Sequence, residues 1–446
     1  MPCFHKKTRA TLQLFGLIMG GYLLFPPHAH AYLDPGTGNA LIFVIISIGT
    51  TLTFFLKNIF YRLTGKAHGK GISPLQAVKQ HQQLVIFSEG KIYWPVFKPI
   101  VEALLHRQYP FRFLSMDIHD PGLTIENDLM QSSYIGTGSA AFARAANVRG
   151  AVMLQTTANI GTPGYPMPVP RHIACLAHVL HGVGGVAAYY KNAHDTCQAI
   201  LLMGEGDVAS IRQLEAKRGL TERECVAAGV PSLDELAKTV VPHEGISTPP
   251  VILIAPSWGE RNSLGYCGTG FIDWLLEAGY RVIIRPHPFS AKVEPLFLAG
   301  LQQRFAAHPG VSFDMAVSSA ESLAAADLMI SDTSGVRFDF AFLYSKPVIT
   351  LQKPIGDMRQ FEYSELDYVW EEDVAAKLGP VVLPDAFQKL DKGEFLALID
   401  KAISIDASHL RKLRDETISN FGCSGEFIVD WAIQKCREIS GNKDRQ

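Results

Sequence analysis

Short apolar runs alternate with longer segments of helical spacing along most of the chain after residue 83. Residues 84–87 are continuously apolar and predict a buried strand, and residues 111–116 predict another. Between them, apolar side chains recur every three or four positions from Trp94 to Leu105, which predicts a helix with one packed face. This alternation is typical of a parallel, doubly wound α/β sheet.

The periodic pattern is lost at residues 240–250, where Pro, Gly and Ser gather as they do in linkers. A second series of strand and helix patterns begins at residue 251. We therefore expect two Rossmann-like domains, residues 71–245 and 246–385, facing each other across a cleft, with helices in residues 386–446. Further strands are expected at residues 133–136, 151–156, 172–178, 199–203, 251–255, 281–285, 311–313, 328–331 and 347–351.

The N-terminal region carries two long apolar runs, at residues 12–25 and 40–56. The first run follows basic residues and precedes Ala29-His30-Ala31, so residues 1–31 are expected to be a signal peptide or a first membrane segment. The second run predicts a transmembrane helix within residues 32–70. Its downstream flank is basic, through Lys57, Arg62, Lys66 and Lys70.

Positive charge after a membrane span holds that flank in the cytoplasm. The expected location is therefore the cell (inner) membrane, with the catalytic domains cytoplasmic. The chain would cross once after cleavage of the signal segment, or twice as a hairpin, with the catalytic domains next to the inner leaflet. A periplasmic protein whose second apolar run is a buried helix remains the alternative.

Composition narrows the class of partner. The formal net charge is −2, so no overall basic field favours nucleic acid as a partner. The seven cysteines are scattered without CxxC or metal-ligand spacing, which indicates buried thiols in a reducing compartment and no metal requirement. No GxxxxGK[ST] loop or GxGxxG fingerprint follows a strand, which argues against an ATPase or a dehydrogenase.

The most specific chemical pattern is a predicted strand at residues 328–331 followed at once by Asp332-Thr333-Ser334-Gly335 and a helix. A helix N-terminus presents free N–H groups and a positive dipole end, so the two hydroxyls and the N–H groups of Ser334 and Gly335 could hold phosphate oxygens. The alternative is a plain N-cap, because Asp, Ser and Thr cap helices without any ligand.

Three other segments end strands at the expected cleft. Arg285-Pro286-His287-Pro288 offers a guanidinium for phosphate and an imidazole held between prolines, unless His287 only caps the strand. His181 is followed by Gly182 and further glycines, which allow close approach of a ligand, whereas His178 fits the packed core better. Ser257 ends the first strand of the second domain and could line a nucleotide, although this signal alone is weak.

These segments together resemble the CDP-glycerol:poly(glycerophosphate) glycerophosphotransferase family, the teichoic-acid-type primases and polymerases. The family's His-Gly matches His181-Gly182, its Lys/Arg-x-His-Pro matches residues 285–288, and its Thr-Asp-Tyr-Ser-Ser matches residues 331–335. Residues 336–349 and 254–258 also resemble family segments, and the resemblance is strongest over residues 251–352. Two departures are the lack of a Trp before His181 and the presence of Gly335 where the family has a second serine.

The resemblance implies a GT-B architecture with an acceptor-side first domain and a CDP-glycerol-binding second domain. It implies glycerophosphate transfer from CDP-glycerol to a hydroxyl of a membrane-associated or lipid-linked polyol or glycan acceptor of the cell envelope, with release of CMP and no cofactor. His181 would be the base, and His287, Arg285, Ser334 and Gly335 would stabilise the phosphoryl charge and the leaving CMP. Asp332 would orient a histidine or the acceptor, or cap the helix.

Gly182, Ser257 and Thr333 would complete the substrate-binding residues under the same resemblance. Two other functions stay open at this point. One is a GT-B glycosyltransferase that uses a nucleotide sugar, because one fold serves many donors. The other is a non-catalytic, membrane-anchored binding protein.

Overall fold

The computed structural model describes residues 83–240, 245–259, 262–316, 319–352 and 359–443. The predicted signal peptide and transmembrane helix lie outside these described residues. Within the described ranges, no helix combines the length and the apolar character that crossing a membrane requires.

Two parallel β-sheets form the framework, as the alternating pattern predicts. The described residues place seven strands in the first sheet, in the order β3-β2-β1-β4-β5-β6-β7, and six in the second, in the order β10-β9-β8-β11-β12-β13. The strands are β1 (Leu84–Ser88), β2 (Phe111–Ser115), β3 (Met130–Tyr134), β4 (Gly150–Gln155), β5 (Ile173–Val179), β6 (Ala199–Leu202), β7 (Glu224–Ala227), β8 (Val251–Ala255), β9 (Arg281–Ile284), β10 (Val311–Phe313), β11 (Leu328–Ser331), β12 (Val348–Leu351) and β13 (Val381–Val382).

The helices cover both faces of each sheet, because strands buried on both sides need apolar cover. The helices are α1 (Trp94–His106), α2 (Gly138–Ala146), α3 (Glu205–Arg218), α4 (Pro231–Ala237), α5 (Ser263–Tyr266), α6 (Gly270–Glu277), α7 (Ser290–Val293), α8 (Pro295–Phe305), α9 (Ala320–Ala325), α10 (Val336–Tyr344), α11 (Trp370–Leu378), α12 (Pro384–Phe387), α13 (Lys392–Ile403), α14 (Ala407–Thr417) and α15 (Ser424–Lys443).

The C-terminal helices divide between the two sheets. Helix α13, which starts with a capping box of Asp391 and Glu394, buries Phe395 and Ile399 in the core of the second sheet. Helix α15 instead buries Ile428 and Val429 in the core of the first sheet, against α1 and β4. The chain therefore returns to its first half after completing its second.

Buried polar contacts join the two halves of the chain, namely the part built on the first sheet and the part built on the second sheet. Asp207, at the start of α3, accepts hydrogen bonds from the backbone N–H of Val186 (3.1 Å) and from the indole Nε1–H of Trp370 in α11 (2.9 Å). Arg218, at the end of α3, pairs with Asp195 in the first half and with the buried Glu362 between the second sheet and α11. Buried ions require such partners, so these groups fix how the halves meet.

Candidate active site

The carboxyl ends of the central strands of both sheets carry the chemical groups selected from the sequence. His181 lies two residues beyond β5, and Ser257 lies two residues beyond β8. Asp332 follows β11 directly, and Arg285 follows β9 directly. In open α/β sheets this edge is where ligands bind, so the topology alone brings these groups to one side of each sheet.

The His181 imidazole is held by aromatic neighbours. Its Nδ1 lies 3.0 Å from the Tyr189 hydroxyl, and its ring meets that of Tyr93 edge to face at 5.6 Å. The Ser232 hydroxyl donates to the His181 carbonyl at 3.0 Å and fixes the backbone. With Nδ1 engaged by Tyr189, Nε2 is the ring atom left for a substrate proton.

The His181 residue is in contact with solvent, but many protein atoms surround its imidazole. These atoms partly desolvate the ring and lower its pKa below 6.5. The imidazole is therefore neutral at neutral pH, as a proton acceptor must be. His178, expected in the core, is fully buried, and its ring lies 4.5 Å from that of buried His194. Neither of these two histidines reaches the cleft surface.

The glycine loop after His181 touches the start of α10. A Cβ atom added to Gly335 would lie 2.5 Å from the Val183 carbonyl oxygen, and one added to Gly184 would lie 3.9 Å from the Gly335 Cα. Real Cβ atoms essentially never lie within 3.0 Å of a backbone oxygen. Position 335 therefore requires glycine as long as the Val183 loop keeps this position. This contact gives the physical reason why Gly335 stands where the resembling family has a serine.

Asp332 ties together two loops of the second half. Its buried carboxylate accepts hydrogen bonds from the Ser257 hydroxyl (2.6 Å) and from the backbone N–H groups of Ser257 (2.9 Å), Ser263 (3.0 Å) and Ser334 (3.1 Å). Burial raises the pKa of Asp332, and these donors act in the opposite direction. Asp332 is thus a positioning group for both loops.

The start of α10 keeps part of the expected anion site. Because the Ser334 N–H donates to Asp332, that N–H is not free for phosphate. The residues Thr333 and Ser334, which carry the two hydroxyls, are partly exposed. Among the described residues, the backbone N–H groups of Gly335 and Val336 have no acceptor, whereas those of the next two residues bond to the Ser334 and Gly335 carbonyls. An anion at this end would meet hydroxyls, free N–H groups and the positive end of the helix dipole.

Arg285 and His287 differ in how they are held. The Arg285 guanidinium pairs with Asp314 at 2.5 Å and donates to the Ala316 carbonyl at 3.0 Å, so it is engaged inside the second half. The His287 Nδ1 accepts the Phe289 N–H at 3.1 Å, which places the proton of the neutral ring on Nε2.

The sequence reasoning missed three cleft groups in the first half: Glu89, Tyr93 and Tyr189. Glu89 directly follows β1, and its carboxylate accepts the Thr157 hydroxyl at 2.7 Å. The signal that could have found Glu89 is its place immediately after a buried strand. The tyrosines carry no such signal, because their closeness to His181 depends on how the loops fold.

Solved structures share this architecture. Two structures of the wall teichoic acid polymerase TagF with CDPG, from soaks of 30 and 15 minutes, match with TM-scores of 0.52 and 0.51 and identities of 14% and 16%, each over 88% of this chain and 97% of the other. A putative UDP-N-acetylglucosamine 2-epimerase from Listeria monocytogenes matches with a TM-score of 0.50 and 12% identity, over 80% and 96%. No curated protein sequence matches the chain.

The two parallel sheets define a GT-B-like α/β fold, which these structures share. At identities this low, the structural matches show the fold and not the function. Residues 207–370 match the CDP-Glycerol:Poly(glycerophosphate) glycerophosphotransferase family. The match confirms the resemblance over these residues, which are less than half of the chain. The matched range includes α10 and Asp332 but begins after His181.

The Val183–Gly335 contact predicts a strong effect of restoring a side chain at position 335. Gly335→Ser should lower turnover by about 5- to 100-fold, because the loop after His181 must move away by about half an ångström or more, at a cost on the order of 1–3 kcal/mol. Gly265→Ala is the matched control, since a Cβ there meets nothing within 4 Å. Steady-state rates measure both variants, and unchanged turnover in Gly335→Ser would contradict the tight contact.

Proposed function

We propose that this chain transfers glycerophosphate from CDP-glycerol to a hydroxyl of a cell-envelope acceptor and releases CMP. The observation that carries the proposal is the contact between the loop after His181 and Gly335 at the start of α10. Because His181 lies two residues before Val183, this contact supports a reaction in which the His181 imidazole acts on an anion at the start of α10. A reaction between a hydroxyl and a phosphoryl group needs this pair of features.

The chemistry divides between the two halves. The acceptor oxygen attacks the phosphorus that bears the glycerol, His181 Nε2 takes the hydroxyl proton, and the bond from phosphorus to the CMP oxygen breaks. The hydroxyls of Thr333 and Ser334 and the N–H groups of α10 stabilise charge on the phosphoryl oxygens. His287, through its Nε2–H, stabilises the leaving CMP. In this scheme Asp332, Ser257 and Arg285 hold the loops, and Gly182 leaves room for the donor.

CMP release from CDP-glycerol tests this function directly. The wild-type chain, with a glycerol-phosphate acceptor, should release CMP. His181→Ala should lower kcat by about 10²–10⁴-fold, the usual contribution of a proton-transfer group, and His287→Ala by about 10²–10³-fold, the usual contribution of one charge-stabilising donor. His172→Ala is the matched control, because His172 is exposed and lies at the opposite end of β5. Turnover of nucleotide sugars alone would establish a glycosyltransferase instead, and retained activity in cells of both histidine variants would favour a binding protein.

The pH dependence of the rate tests the role of His181. Its lowered pKa keeps the imidazole neutral as the pH falls through 6.5, so kcat/KM should hold there and decline only at lower pH, as the base becomes protonated. A pH–rate profile of the wild-type chain with CDP-glycerol measures this limb. An acidic limb centred at or above pH 6.5 would be inconsistent with His181 as the base.

We also propose that the protein is held at the inner membrane with its catalytic domains in the cytoplasm, where a lipid-linked acceptor can reach them. The apolar runs at residues 12–25 and 40–56 and the basic flank after them support this location. After cell fractionation, the full chain should sediment with membranes, and a chain without residues 1–70 should stay in the supernatant. Release of the full chain by a high-salt wash would contradict an inserted anchor.

A further inference from the structure

Glu89 and His181 lie on the same edge of the first sheet, two strands apart. The register pairs Phe87 of β1 with Gln155 of β4, and Gln155 with His178 of β5. Glu89 lies two residues beyond Phe87, and His181 lies three residues beyond His178. With strands about 5 Å apart, the two backbones are separated by roughly 10 Å, enough for a short polyol between the side chains.

One oxygen of the Glu89 carboxylate is anchored and the other is available. Thr157, just beyond β4, donates its hydroxyl to Oε1 at 2.7 Å. Among the described residues, no protein group donates to Oε2. Glu89 is partly buried, and this desolvation raises its pKa. A partly desolvated carboxylate oxygen is a strong acceptor for a hydroxyl.

Tyrosine rings lie near both Glu89 and His181. The Tyr93 ring contacts His181 edge to face at 5.6 Å, and Tyr93 and Tyr165 both lie within electrostatic range of Glu89. Burial raises the pKa of Tyr93, so its hydroxyl stays protonated and can donate or accept. Tyr93 and Tyr165 beside the Glu89 carboxylate offer apolar ring faces to the C–H groups of a ligand and polar atoms to its hydroxyls.

We propose that Glu89 and Tyr93 form the subsite for the acceptor and that this subsite selects a terminal polyol. Glu89 Oε2 accepts a hydrogen bond from the hydroxyl adjacent to the attacking one. The Tyr93 ring packs against the carbon chain between His181 and Glu89, and the Tyr93 hydroxyl forms a hydrogen bond with the polyol. This inference rests on the proposed function, in which His181 is the base for an acceptor hydroxyl.

The charge of Glu89 also discriminates between the ends of an acceptor. A carboxylate repels a phosphate, so a phosphate end is disfavoured next to Glu89, whereas a free diol gains a charge-assisted hydrogen bond. The subsite therefore favours growth from a free glycerol end. The phosphate that precedes this end must lie away from Glu89.

Glu89→Gln tests the subsite with little change in shape. The Gln side-chain oxygen can still accept the Thr157 hydroxyl, so the loop should keep its conformation, and a thermal melt checks this. The probe is a synthetic lipid that carries two glycerol phosphate units and ends in a free glycerol. Its KM should rise about 10- to 100-fold, the range for losing one charge-assisted hydrogen bond, while the KM for CDP-glycerol stays within twofold.

One further variant tests the subsite again, and another serves as a control. Tyr93→Phe should raise the acceptor KM several-fold with the fold intact. Glu102→Gln, on the exposed face of α1, should change neither KM. CMP release into water without the lipid reports donor use alone and should be equal in Glu89→Gln and wild type.

The outcomes distinguish a failure of the acceptor subsite from a failure of the proposed reaction with CDP-glycerol. An unchanged acceptor KM in both Glu89→Gln and Tyr93→Phe, with CMP still released by the wild-type chain, would overturn the subsite and leave the donor intact. Equal losses of CMP release with and without the lipid would also overturn it, because Glu89 would then act on the donor. Failure of the wild-type chain to release CMP from CDP-glycerol would overturn both proposals.

Discussion

The close contact between the Val183 carbonyl and Gly335 is the constraint on which the site depends. It permits no side chain at position 335, and it determines how far the loop after His181 can stand from the start of α10. Behind this contact, Asp207 holds the Val186 N–H and the Trp370 indole together. A Cβ added to Gly185 would collide with the Glu371 carboxyl.

Glu371 lies where both halves converge. Burial and the neighbouring Asp207 carboxyl raise the pKa of Glu371. Both carboxyls lie under the glycine loop, where a Cβ added to Gly185 would meet each of them within 3 Å. The backbone of the loop, the buried acids and Trp370 thus support the Val183–Gly335 contact on one side, while Asp332 supports it on the side of the second sheet.

Much of the framework is readable from the sequence because local patterns decide it. Buried parallel strands such as β1 and β8 are short apolar runs, and the helices between them show their spacing. The His181 and Asp332 segments are also readable, since each lies at the carboxyl end of a predicted strand, where open α/β sheets bind ligands. These signals depend on near neighbours in the chain.

The remainder depends on contacts between distant residues. Nothing near Arg285 in the sequence indicates that Asp314 engages its guanidinium, and nothing near Ser334 shows that its N–H donates to the preceding aspartate. The reason for Gly335 lies in Val183, 152 residues earlier in the chain. Glu89 and Tyr93 join the site only when β1, β4 and β5 pair in register.

A crystal structure of the chain with CDP-glycerol tests the central claim most directly. The account predicts that the pyrophosphate lies at the start of α10, within hydrogen-bond distance of the Ser334 hydroxyl. The glycerol-bearing phosphorus would then face His181. A nucleotide bound elsewhere, with the start of α10 turned away from its phosphates, would contradict the account.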